Sequence, residues 1–126
     1  IDNSILKAVD NNTFMQDPLR VFRAVQFSSR FKFKLDKNLF KLCKIMVEEK
    51  YLEELSIERI IEELKKLLLK SNKPSIGLEL LDKLNIKIFD INSKILTQID
   101  NFSSFKTQNN KTNFIIFMTL LYSNNQ

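Results

Sequence analysis

The chain has no histidine, no tryptophan, one glycine, one cysteine and two prolines among its 126 residues. Each scarcity excludes something. Without histidine and with a lone cysteine, the ligand sets of a zinc site cannot be assembled, and no metal site is expected in this segment. Cys43 has no partner for an internal disulfide, which fits a reducing compartment, and a cytoplasmic location is the expectation. So few glycines and prolines deprive a sheet-rich, tight-turn architecture of its usual punctuation and favour helices joined by polar connections. The longest near-apolar run, Phe114 to Tyr122, is far too short to cross a bilayer, so no membrane partner is expected. No signal-peptide pattern opens the chain, and its first residue is Ile1 rather than Met, so a piece of something longer is expected.

What is present describes a globular domain: 44% hydrophobic and 28% charged residues, with a net charge of +5. A basic balance suits a polyanionic partner held through phosphates, although many basic proteins bind no nucleic acid. The distribution says more than the total. The chain carries four arginines, and Arg20, Arg23 and Arg30 fall in one window of eleven residues. A sequence that otherwise uses lysine concentrates its guanidinium geometry there. Lys65, Lys66, Lys70 and Lys73 read as ordinary solvated positions.

The expected class is all-α. Asp17-Pro18 is the strongest helix start, a carboxylate cap followed by proline in the first turn, and it opens a helix to about Phe31. The alternating FKFKLD, Phe31 to Asp36, lies between helical patterns and reads as a connection rather than a strand. Asp36 caps a second helix to about Glu49, with Leu39, Leu42, Cys43 and Met46 on one face. Ser56 caps a third, about Ile57 to Leu69, whose stripe of Ile57, Ile60, Ile61, Leu64, Leu67 and Leu68 faces the core. Pro74 opens a fourth to about Leu84. The polar stretch after Asp90 is expected to hold one short helix, Asn92 to Ile99, then a linker or mobile loop, and a last helix from Asn113 to Tyr122.

On the first helix, Arg20, Arg23, Phe27 and Arg30 project within roughly 80° of one another at ~100° per residue, with Asp17 at the N-terminal end. Two readings of this face stand. In one it is a solvated charged surface on which Asp17 only caps the helix. In the other it reads a nucleobase. A carboxylate accepts hydrogen bonds only and a guanidinium donates only. Cytosine and adenine both present an exocyclic amine beside a ring-nitrogen acceptor. Asp17 can accept from that amine while Arg20, one turn on, donates to the ring nitrogen. Uracil and guanine put a carbonyl where the amine should be and leave polar groups unpaired. Arg23 and Arg30 then remain for phosphate contacts.

The stretch FMQDPLRVFRAVQFSSRFKFKLD, followed by LSIERIIEELKKLL, resembles the neck of class II nucleotidyltransferases, the family of CCA-adding enzymes and bacterial poly(A) polymerases. The similarity covers about Phe14 to Leu68, continues loosely through Gly77 to Ile86, and fades afterwards. It implies that Asp17 and Arg20, with Arg23 beside them, bind the incoming CTP or ATP as a protein template. It implies a neck-stabilising or RNA-contacting role for Arg30, Glu58, Arg59 and Glu63. Arg59 and Glu63 stand i,i+4 on one helix, so a direct pair of ~0.3–0.5 kcal/mol is expected. The implied organisation is a neck over residues 1–88 and a polar linker with the start of the body helices over residues 89–126.

Three positions depart from the family pattern. Gln16 stands for the usual Glu, Gln26 for the usual Arg, and Lys32 for the usual Gly before Phe33. The last implies a turn that does not need positive φ. Family members catalyse transfer in a mixed α/β head marked by a Gly-Ser element and an Asp-x-Asp pair, neither of which occurs here. The resemblance therefore places Mg2+ in that absent N-terminal head, and makes this segment alone inactive. It names tRNA, or an RNA 3′ end, and nucleoside triphosphates as partners. CCA addition is favoured because the template pair suits both C and A. Poly(A) addition, or a degenerate RNA-binding paralogue, is the alternative.

Overall fold

A computed structural model describes residues 5–122. Its elements are β1 (Ile5–Leu6), α1 (Asn11–Met15), α2 (Leu19–Phe31), β2 (Lys34–Leu35), α3 (Lys37–Glu48), a 3-10 turn (Tyr51–Glu54), α4 (Ile57–Lys70), α5 (Ser75–Lys83), α6 (Ser93–Ser103) and α7 (Asn110–Tyr122). The class is all-α, as expected.

The capping chemistry sets the boundaries. Asp17 Oδ1 accepts the Leu19 N–H at 3.1 Å, and its carbonyl accepts the Arg20 N–H at 2.9 Å. Asp36 Oδ2 receives the Asn38 and Leu39 amides at 3.1 and 3.4 Å, and Ser56 Oγ receives the Arg59 amide at 3.3 Å. Each cap satisfies donors that have no partner inside their helix.

Helix α2 is the spine. Val21, Phe22 and Val25 are buried on it, and it lies against α4 and α5. Helix α4 contributes Leu64, Leu67 and Leu68, and α3 contributes Leu39, Leu42, Cys43 and Met46. Ile57 departs from the expected stripe: it is 62% exposed, because the stripe reaches the core only after the first turn of α4. Gly77 marks the closest approach. A Cβ there would stand 2.7 Å from Leu67 Cδ1 and 2.8 Å from Ser29 Cβ, so α5 seats between α2 and α4 only without a side chain at that point.

Three connections differ from the sequence reading. FKFKLD is not a free connection: Lys34–Leu35 pairs in parallel with Ile5–Leu6, and the Asp36 N–H donates to the Leu6 carbonyl at 2.8 Å. Second, Lys32 takes φ 58°, ψ 35°, so the turn after α2 does need the left-handed conformation, with a lysine in place of glycine. The Ser28 hydroxyl donates to the Phe33 carbonyl across that turn. Third, the polar stretch is mostly helix: α6 continues to Ser103 and α7 begins at Asn110. Between them, buried Asn113 accepts from the Thr107 amide at 3.0 Å and hydroxyl at 2.9 Å, and returns its own N–H to the Thr107 carbonyl at 2.9 Å. Side-chain bonds that close a short loop make polar composition compatible with order.

Helices α6 and α7 add Ile95, Ile99, Phe117 and Leu121 to the same core, packing on α5 and α4. Polar seams fix them there. Asp100 on α6 accepts the Ser75 amide at 3.0 Å and hydroxyl at 2.7 Å, and so caps α5 from outside. Ser71 donates to Ser29 at 3.0 Å and accepts from Ser103 at 3.1 Å, joining α2, the end of α4 and α6. Among the described residues, no helix is long and apolar enough to cross a membrane.

Candidate functional site

The N-terminal half of α2 and the first turns of α4 meet at the face that the sequence singles out. Asp17 keeps its capping bond, and its side chain is 31% exposed. Arg59, from the first turn of α4, brings Nη2 to 3.5 Å from both carboxylate oxygens. Arg20 points along the other side of α2, where a guanidinium nitrogen donates to the Thr13 carbonyl at the end of α1. Arg20, Arg23 and Phe27 line one cleft of about 320 Å³, closed by Leu6, Phe14 and Leu39. Short strand β1 and helix α1, neither anticipated from the sequence, thus build one wall of the arginine site.

One turn further on lies a buried carboxylate. Glu63 is 3% exposed, and Gln26, 2% exposed, donates Nε2–H to its Oε1 at 2.8 Å. Arg23 Nε and Lys66 Nζ stand 3.8 and 3.5 Å from its other oxygen. Gln26 in turn accepts from Arg30 Nη1 at 2.8 Å. A buried carboxylate is tolerable only when hydrogen-bonded and neutralised. Here a neutral amide supplies the short hydrogen bond, while two half-exposed cations supply the charge.

The expected Arg59–Glu63 pair is therefore replaced. Both residues reach across to α2 and its cap, Arg59 to Asp17 and Glu63 to Gln26 and Arg23, because α2 packs alongside α4 and offers each a partner. Glu58 is exposed in the first turn of α4, where its charge opposes the positive helix end. Arg30 leaves the arginine cleft for Gln26 and lies 4.8 Å from the centroid of the Phe31 ring. The structure thus brings Arg20 and Arg23 together, pairs Asp17 with Arg59, and gathers Arg23, Arg30 and Glu63 around Gln26.

Sequence reasoning noted Gln26 only as a lost charge; its burial, the signal that makes it a bridge, is invisible without the α4 partner. It also missed a second cleft of about 720 Å³, where Phe33 and Phe40 lie among lysines from β2, α3 and α5. Cys43 is fully buried, and desolvation pushes its thiol up to about 12. It is a core residue, not a nucleophile. Among the described residues, no group of three or more acidic, Cys or His side chains stands where it could hold a metal ion.

Residues 32–87 match a family model described as "Probable RNA and SrmB- binding site of polymerase A". The chain is 36% identical over 110 residues to the CCA-adding enzyme of Pediococcus pentosaceus, a match covering 81% of this chain and 26% of that protein. It is 41% identical over 81 residues to the CCA-adding enzyme of Ligilactobacillus salivarius, covering 63% of this chain and 19% of that protein. Among solved structures, a tRNA-processing enzyme in its apo form superposes with a TM-score of 0.76 at 26% identity, over 98% of this chain and 39% of that one. The Thermotoga maritima CCA-adding enzyme complexed with tRNA_CCA shares the fold, with a TM-score of 0.75 at 21% identity over 94% of this chain and 31% of that one.

The fold is thus an all-α module that recurs within longer nucleotidyltransferases. The chain belongs to the CCA-adding tRNA nucleotidyltransferase family, matching a region of its longer members. It spans about a quarter or less of the length of these curated relatives, 26% and 19%.

Proposed function

We propose that this chain is the nucleotide-selecting and RNA-binding part of an enzyme that adds C and A, from CTP and ATP, to the 3′ ends of tRNA. The observation that carries the reading is that Asp17 caps α2 and Arg20 stands in its first turn, where Arg20 lines a cleft with Arg23 and Phe27. Asp17 accepts from the exocyclic amine of cytosine or adenine, and Arg20 donates to the neighbouring ring nitrogen. For this both side chains turn from the partners they hold in the structure, Asp17 from Arg59 and Arg20 from Thr13. Both contacts are solvent-exposed, and an exposed ion pair such as Asp17–Arg59 is worth only ~0–1 kcal/mol, so releasing Asp17 is inexpensive. Arg23 and Phe27 line the cleft beside them. The group-transfer chemistry belongs to a catalytic head outside this segment, and residues 1–88 act as the neck that presents the template to it.

The test is nucleotide incorporation by the intact enzyme on tRNA lacking its 3′ end. Asp17→Ala and Arg20→Ala should each blur the preference for C and A over U and G while leaving tRNA affinity largely unchanged. Undiminished preference in both variants would refute the template role. A second reading, addition of A alone, is favoured by the polymerase A description that residues 32–87 match. Incorporation from CTP separates the two, and no incorporation from either nucleotide identifies a degenerate RNA-binding paralogue.

A further inference from the structure

We propose that Phe27, Phe31 and Phe33 form a stacking track for an unpaired RNA strand, leading from the arginine cleft to the lysine-rimmed cleft. The inference rests on the RNA-binding reading above and adds to it a place and a chemistry. The Phe27 and Phe31 ring centroids are 6.0 Å apart and those of Phe31 and Phe33 are 5.8 Å apart, tilted by 41° and 34°. Phe27 is 39% exposed and Phe31 50% exposed, although the core nearby is closed. Phe27 lines the smaller cleft and Phe33 the larger, so the strip joins the two.

Cations interleave with these rings along the chain: Arg23, Phe27, Arg30, Phe31, Lys32, Phe33, Lys34. Arg30 already stacks on Phe31. The larger cleft carries Lys32, Lys34, Lys37, Lys41 and Lys83 against one acid, Glu79. An apolar strip bordered by that charge suits a polyanion with flat faces. Bases stack on the rings without regard to their identity, and the lysines follow the phosphates. Lys32 supports the assignment independently. It holds a left-handed conformation that glycine would adopt without strain, yet it places an ammonium at the rim of the cleft.

The experiment measures binding of fluorescein-labelled oligoadenylate and oligocytidylate, and of a blunt RNA duplex, to the intact protein by anisotropy across a salt series. Phe31→Ala should weaken single-strand binding about tenfold, within the range for loss of one base–aromatic stack, and leave duplex binding and the melting temperature unchanged. Lys32→Gly should raise the melting temperature, yet weaken single-strand binding and reduce the salt slope by about 0.7. A variant that is more stable but binds RNA less well is not explained by misfolding. Single-strand binding unchanged in both variants, or an equal loss on duplex, overturns the track while the broader reading survives. Failure of the wild-type protein to bind any RNA overturns both. Phe31-dependent binding of polyglutamate that is tighter than that of either oligonucleotide would assign the strip to an acidic protein segment instead.

Discussion

Gln26 Nε2 donates to Glu63 Oε1 at 2.8 Å, joining two residues that are each at most 3% exposed. The bond connects α2 to α4 at the depth where the arginine face ends. Gln26→Ala leaves the Glu63 carboxylate buried without that donor, and should destabilise the protein by about 1–3 kcal/mol in urea unfolding. A loss below the error of such a titration would mean that water or a cation replaces the amide.

Gly77→Ala introduces a methyl group 2.7 Å from Leu67 Cδ1 and 2.8 Å from Ser29 Cβ. Alanine gains about 1 kcal/mol in helix propensity, but overpacking a closed junction costs about 1–3 kcal/mol. The Ser29 atom sits next to the α2 backbone and cannot step aside. The melting temperature should therefore fall, and a rise would show that α5 can lift off its neighbours.

Cys43 couples stability to alkaline pH. Its thiol is raised by burial from 9.0 to about 12 in the folded state, so the folded protein holds that proton when the unfolded chain releases it. The stability is fully present below about pH 9 and is lost as pH rises towards 12, at about 1.4 kcal/mol per pH unit within that window. Cys43→Ala should flatten the alkaline limb of a denaturation series. At pH 8 the thiol should react with Ellman's reagent only as fast as the protein unfolds.

Arg59→Ala tests the cross-helix pair with Asp17. With side chains 50% and 31% exposed and a 3.5 Å separation, the pair should contribute less than about 1 kcal/mol. Removing it frees the Asp17 carboxylate for a base, so the KM for CTP in the intact enzyme should fall or stay level. A higher KM would place Arg59 itself on the nucleotide.

What was legible in the sequence was mostly local. Asp17, Asp36 and Ser56 announce their helices because a cap acts on amides two or three residues away. The buried face of α3 follows from periodicity alone. What escaped depends on distant partners. FKFKLD becomes a strand because Ile5 and Leu6 lie beside it. Arg59 and Glu63 ignore each other because α2 offers each a closer partner. The left-handed Lys32 could not be read from a side chain that normally avoids that conformation. Residues 104–109 looked like a linker because Asn and Thr are also the residues of loops, and only the burial of Asn113 distinguishes the two. The candidate face was legible as a set of residue types, while its division into a cleft, an ion pair and a buried network was not.

The cap that Asp100 places on α5 has a consequence for the order in which the molecule is completed. The Ser75 amide waits for a carboxylate made 25 residues later, and the Leu69 carbonyl near the end of α4 waits for Lys106, 37 residues later. As the chain leaves the ribosome, the Ser75 amide and the Leu69 carbonyl therefore emerge bonded only to water. Helices α4 and α5 reach their final register when α6 and the loop after it arrive, so a later-made segment finishes the part made before it.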